Sequence, residues 1–321
     1  MICTRAYRNG DSPALAELWS RCLQARPSTR PLTAHEFDAL VPGKLGFERQ
    51  GLIVAEQGER LVGFTHAGFG PVDPNGPSHA RDYRLGAVLV LVVDEAVAEP
   101  GVADALMSAA MSYLRERGAV VVYAGGQYPI NPFYWGLYGG SELSGIVASD
   151  RPFLDAARAA GFEPVAESVV LEANLSGPEP RDPRMVLARR QYRVEIEPDA
   201  ALPSWWDALA LGLFRPTRFW LVDRASGAVP AQLWTWESLT ELHAGHRRLT
   251  TGLIRLEVEP AYRRKGLARL LVSEAWKAAR SQLSDLLAVQ TSATNEPALA
   301  LYRSMGFEEV TRAVVFRLPG R

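Results

Sequence analysis

The chain has 321 residues, enough for two domains that each bury a core, and its 47% hydrophobic and 22% charged residues exclude a disordered protein. A formal net charge of -1 offers no global attraction to nucleic acid or to an anionic membrane, so neither is an expected partner and any basic site must be local.

In chain order, MICTRAYRNGD meets a charge at Arg5 and lacks an apolar signal core, which makes a cytoplasmic protein the expectation. The strand-like ICTRAY precedes a helix at SPALAELWSRCL, where Ser12 and Pro13 form an N-cap and first-turn pair, and TAHE at Thr33 has the form of a capping box. Cys3 and Cys22 have no metal-type spacing, so no disulfide framework or zinc site is expected. Two strands, GLIVAEQ and RLVGFTHAGF, are followed by a Gly/Pro-rich loop, the strand AVLVLVV and the helix VADALMSAAMSYLRERG. The apolar run 85–93 is too short to span a bilayer. Then come the strand AVVVYAG, an aromatic segment YPINPFYWGLYGGSELSGI, the helix RPFLDAARAAGF and the strand VAESVVLEANL. The segment's tyrosines and Trp135 suit either a ligand cradle or interdomain packing, with Gly139 and Gly140 allowing tight turns.

Prolines and charges in SGPEPRDPR mark a linker, after which the same order recurs. The strand YRVEIEP is followed by the helix SWWDALALGLF with Ser204 and Asp207 as a capping box, then by RFWLVDR, PAQLWTWESL, TGLIRLEVE, the helix LARLLVSEAWKAARSQ, LLAVQTS, PALALYRSMGF and TRAVVFRLP. Trp205, Trp206, Phe214, Phe219, Trp220, Trp234 and Trp236 fit a core better than an aromatic pocket. His243 and His246 sit in a polar stretch without a carboxylate pattern, and no metal site is expected. The plan is an α/β fold, with α+β layers, of two tandem domains: 1–175, a linker at 176–186, and 187–321. Each is a mixed, mostly antiparallel sheet flanked by helices.

One stretch breaks the usual charge rule. In LEVEPAYRRKGLARLL, the cations Arg263, Arg264 and Lys265 stand just before a helix, where the macrodipole favours acids. A phosphate at that helix start makes them favourable, and Gly266 lets backbone approach it; a solvated basic turn is the plain alternative. Two motifs, VEPAYRRKGLA and, one strand later, NEPALALYRSMGF, resemble the GNAT superfamily of acyl-CoA-dependent N-acetyltransferases. The whole chain looks like a tandem of such domains with a degenerate first copy. Aligning Gly101 with Gly266 puts Ala98 at the place of Arg263, among Asp94, Glu95, Glu99 and Pro100. Aligning Gly161 with Gly306 puts Ala157 at the tyrosine position and Asp150 at the asparagine position.

The resemblance implies acetyl-CoA as cosubstrate and direct attack of a primary amine, of a small molecule or peptide, on its thioester. It carries cofactor contacts onto Leu256, Val258, Arg263, Arg264, Lys265, Gly266, Leu267, Ala268, Asn295 and Tyr302. Val258 matches the family's backbone donor to the thioester carbonyl, and Tyr302 the general acid for the departing thiolate. Asn295 equally suits a helix cap. Glu259 is the first candidate for the base and Glu257 the second, since the family does not fix that position. The rival expectation is a non-catalytic acyl-CoA sensor or partner-binding protein; either is compatible with a monomer or homodimer.

Overall fold

The protein is described by a computed structural model over residues 2–23, 31–137, 140–142, 145–180, 182–238 and 248–319. Its first half comprises β1 (Ile2–Ala6), α1 (Ser12–Leu23), α2 (Ala34–Leu40), β2 (Leu52–Gln57), β3 (Arg60–Pro71), β4 (Arg81–Val93), α3 (Val102–Glu116), β5 (Val121–Ala124), β6 (Ile146–Val147), α4 (Arg151–Ala159) and β7 (Glu163–Asn174). The second comprises α5 (Pro183–Gln191), β8 (Tyr192–Pro198), α6 (Trp205–Leu211), β9 (Phe214–Asp223), β10 (Ala231–Ser238), β11 (Thr250–Val258), α7 (Leu267–Ser281), β12 (Leu286–Ser292), α8 (Glu296–Arg303) and β13 (Glu308–Arg317).

Local chemistry explains most of these elements. Helix α7 buries Leu267, Leu270, Leu271, Ala275, Trp276 and Ala279, a stripe at helical spacing. Strand β4 is buried at every position from Ala87 to Val93, as befits a strand covered on both faces. The capping box at Thr33 forms, its hydroxyl accepting from the Glu36 amide and the Glu36 carboxylate from the Thr33 amide, whereas at Ser204 the hydroxyl accepts from the Asp207 amide and itself donates to the Asp207 carboxylate, a cap without the reciprocal bond among the described residues. Ser12 differs from expectation, because its hydroxyl is taken by Tyr7 and Asp38 and it becomes the first residue of α1. Within the stretch read as a linker, Asp182 caps α5 with Pro183 in its first turn.

The two halves share one sheet, in the order β1-β2-β3-β4-β5-β13-β7-β12-β11-β10-β9-β8, with β6 alongside β13. Pairing is antiparallel except at β4 with β5 and β11 with β12, which occupy matching places in the two halves. The last strands are exchanged. Strand β7 of the first half pairs with β12 from Leu286↔Asn174 to Ser292↔Ser168, and β13 of the second half lies between β7 and β5. One hydrophobic cluster likewise runs through both halves, joining Trp19, Tyr134 and Trp135 to Ala210, Phe214, Trp234 and Trp236. The aromatic segment is therefore a packing element, and most of the second half's aromatics are core: Trp206, Phe214, Phe219, Trp234 and Trp236 are buried. Tyr138, Gly139, His243 and His246 lie outside the described residues.

Lys44 bridges the halves from within, donating to the Pro132 carbonyl at 2.7 Å and the Ala210 carbonyl at 2.8 Å. Burial pulls its pKa down to about 7. An unfolded lysine stays protonated to about 10.4, so from pH 7 to 9.5 the unfolded chain binds more protons and stability rises with pH. Urea denaturation across that range is expected to show the wild type gaining on a Lys44→Met variant; a pH-independent difference would refute it.

Candidate active site

Strands β11 and β12 run side by side only from Thr250↔Leu286 to Leu253↔Val289, and beyond that they part. On the other side of β11 the register with β10 slips: Trp234 faces Ile254, but Gln232 faces Glu257, so Arg255 and Leu256 together oppose Leu233. This is a β-bulge, and Arg255 takes a left-handed φ of 52° within it. Its guanidinium is ion-paired to the buried carboxylate of Asp207 from α6 and lies 6.0 Å from the centre of the Tyr128 ring. The Glu259 amide donates to the Pro230 carbonyl at 2.9 Å, so by strand alternation the amide of Val258 faces the opened side.

The chain then turns through Pro260–Tyr262 into the basic loop. Arg264 and Gly266 both adopt left-handed φ, 64° and 84°, and Gly266 opens α7 with no side-chain cap and no acid in the first turn. The N-terminal amides of α7 are thus left for a ligand. Arg263 donates to the Val258 carbonyl at 3.2 Å, and the Lys265 ammonium lies 5.0 Å from the centre of the Tyr262 ring. Arg264 has no ion-pair or hydrogen-bond partner among the described residues. Two more cations stand close by: Arg184 packs on Gly266, where an added Cβ would come within 3.0 Å of it, and Arg269 lies in the first turn of α7. Both bind Asp182, whose carboxyl is held down at about 2, chiefly by the Arg184 hydrogen bond.

Across the gap, the Asn295 side chain caps α8 by accepting from the Ala298 amide at 3.3 Å and donates to Thr291 at 3.1 Å. That cap aims Tyr302 back at the splayed strands. Its ring lies 5.5 Å from that of Phe307, and its hydroxyl makes no hydrogen bond among the described residues. Burial first, and then the charge of Glu142, raise the phenol well above its ordinary pKa. It stays protonated at neutral pH.

These parts enclose one cleft of about 880 Å³, lined among others by Leu256, Val258, Arg263, Arg264, Gly266, Leu267, Ala268, Asn295 and Tyr302. Nine of the ten positions singled out for the cofactor therefore converge; Lys265 stands just outside the lining. Of the two candidate bases, Glu257 is on the lining and accepts from Gln232 at 2.9 Å, while Glu259 is exposed and off it. The cleft also receives Glu142 from the first half, and Arg184 and Arg255 with it, none of which the motifs marked.

The corresponding place in the first half keeps the backbone and not the charge. Gly101 opens α3 with φ 92°, yet Ala98 replaces the first cation, Asp104 sits in the helix's first turn, and the buried Asp94 carboxylate engages Arg21 at 2.9 Å and Arg60 at 3.5 Å.

The model of the Acetyltransferase (GNAT) family matches residues 12–139 and again 187–307, most of the chain. No curated protein matches the chain. Among solved structures it is similar to a tandem GNAT protein from the clavulanic acid biosynthesis pathway, with a TM-score of 0.70 and 16% identity over 99% of this chain and 98% of that one. A GNAT from Sphaerobacter thermophilus gives 0.65 and 16% over 100% and 97%. A GCN5-related glucosamine N-acetyltransferase region of a fungal multi-domain GH3 β-N-acetylglucosaminidase gives 0.70 and 16%; there the match covers 99% of this chain and only 38% of the other. At such identities the likeness is one of fold. Among the described residues, no helix is long and apolar enough to cross a membrane and no group of metal-binding side chains is present.

Proposed function

The chain belongs to the acetyltransferase (GNAT) family, and from that premise we propose that it is an acetyl-CoA-dependent N-acetyltransferase whose second half binds the donor and carries the reaction. The observation that supports this most is the convergence of an uncapped helix start, an unpaired arginine and a protonated tyrosine on one cleft between parting strands. Each part meets a separate chemical need. The amides of α7 and the cations around Gly266 hold a pyrophosphate by charge-assisted hydrogen bonds. The gap between β11 and β12 takes the extended pantetheine arm, with Leu256, Val258 and Asn295 as polar contacts. The β11 amide of Val258, which faces the gap, donates to the thioester carbonyl as charge develops; one such donor is worth about 3 to 4 kcal/mol in the transition state. Tyr302 protonates the leaving sulfur.

The first half lacks the cations and keeps its own ion pairs where they would act, so one donor site per chain is the expectation. Calorimetric titration of acetyl-CoA into the full chain should give a stoichiometry of one. Arg264→Glu should weaken it about tenfold or more, since it removes a charge-assisted bond worth roughly 1.5 to 3 kcal/mol and adds repulsion. Two sites, or an unchanged affinity, would overturn this assignment of the donor site.

A further inference from the structure

The catalytic cleft is incomplete within the second half alone. Its wall is finished by the first half's segment between β5 and β6, which lies across the sheet: the Trp236 indole donates to the Ser141 carbonyl at 2.8 Å, and Gly140 sits so close to Gln290 that a Cβ would come within 2.6 Å of its Oε1. The next residue after Ser141 is Glu142. Its carboxylate makes no hydrogen bond or ion pair among the described residues, and it is the acid shared by the donor cleft and a smaller adjoining cavity of about 200 Å³. That second cavity is lined by the polar side chains of Gln127, Glu167, Ser168 and Gln290 among others, and shares Glu142, Gln290 and Thr291 with the cleft. Gln290 donates its amide to Ser168 at 2.8 Å and lines both cavities.

We propose that Glu142, supplied by the first half, is the general base for the transfer in the second half, and that the acceptor is a small primary amine seated in the polar cavity between Glu142 and Gln290. The inference rests on the N-acetyltransferase reading above. The amine nitrogen's lone pair forms the C–N bond with the thioester carbonyl carbon while its proton passes to Glu142. The C–S bond breaks, and the sulfur takes the proton of the Tyr302 hydroxyl. Glu142 and Tyr302 then return to their starting states by exchanging one proton through solvent, so that amine and thioester give amide and thiol. The cavity has room for a chain of a few carbons, which favours a small amine over a protein terminus. Burial raises the Glu142 carboxyl to about 7, against the opposing charge of Arg255, a value suited to accepting a proton at neutral pH.

The test follows thiol release from acetyl-CoA with saturating 1,4-diaminobutane from pH 5.5 to 9, in the wild type and Glu142→Gln, with acetyl-CoA binding measured for each. Expected are diamine-dependent release in the wild type with a limb near pH 7, and a loss of about a hundredfold and of that limb in Glu142→Gln with donor affinity kept. In the unliganded chain, the carboxyl carbon resonance that Glu142→Gln removes should titrate near 7. The proposal is overturned by Glu142→Gln turnover within threefold of wild type, by a loss of donor binding that marks a structural role, by a titration in the ordinary carboxylate range, or by release indifferent to the diamine. A wild type that binds no acetyl-CoA would instead remove the reading beneath it.

Discussion

A Tyr302→Phe variant is expected to lose about a hundredfold or more in kcat at pH 7 while binding acetyl-CoA as the wild type does. The expulsion of a thiolate, whose conjugate acid has a pKa near 8.5, needs a donor that is still protonated when the reaction begins. A phenol whose pKa is raised by burial and by Glu142 meets that condition at neutral pH. The variant isolates the chemistry because it leaves the ring in place against Phe307, and because the hydroxyl it deletes has no hydrogen bond to lose among the described residues. Its stability should hardly move. Steady-state kinetics beside calorimetry of acetyl-CoA decide the matter: an unchanged kcat would withdraw the acid role, and a chain that only senses acyl-CoA would bind it and show no turnover to lose.

The second large effect concerns stability. Trp236 is fully buried and is the side chain on which the two halves close: its ring lies 4.9 Å from that of Phe214, and its indole N–H reaches the Ser141 carbonyl. The backbone has been cleared to make room for it. An added Cβ would come within 2.3 Å of the ring at Gly252 and 2.5 Å at Gly136, one glycine from each half. Trp236→Ala should cost about 3 to 5 kcal/mol in urea denaturation, because a cavity bounded on two sides by backbone cannot collapse. A loss below 1 kcal/mol would mean that the interface is held elsewhere.

Legibility in the sequence followed the range of the interactions. The basic loop and its glycine could be read because their chemistry is local: a helix start, a left-handed residue and three cations lie within a few positions of one another. Tyr302 and Asn295 were readable for the same reason, as one cap and one turn of helix. Helix α5 was hidden by a composition of prolines and charges that reads as a linker, although Asp182 followed by Pro183 is a cap and first-turn signal. Arg184, and with it part of the cation cluster, was missed there. Glu142 had no local sign at all. It reaches the cleft because the aromatic segment lies across strands of the other half, and nothing in either half's own periodicity encodes that crossing.

The exchange of β7 and β13 has a consequence for how such a protein comes into being. A ribosome releases β5 long before it releases β13, so the nascent first half waits with one sheet edge bare and with its own final strand bound for a partner not yet made. A gene cut between the halves would yield two fragments, each without the strand that the other supplies to its sheet edge here. The first half is thereby tied into the sheet that carries the cleft, even though its own loop before α3 lacks the cations found at Gly266.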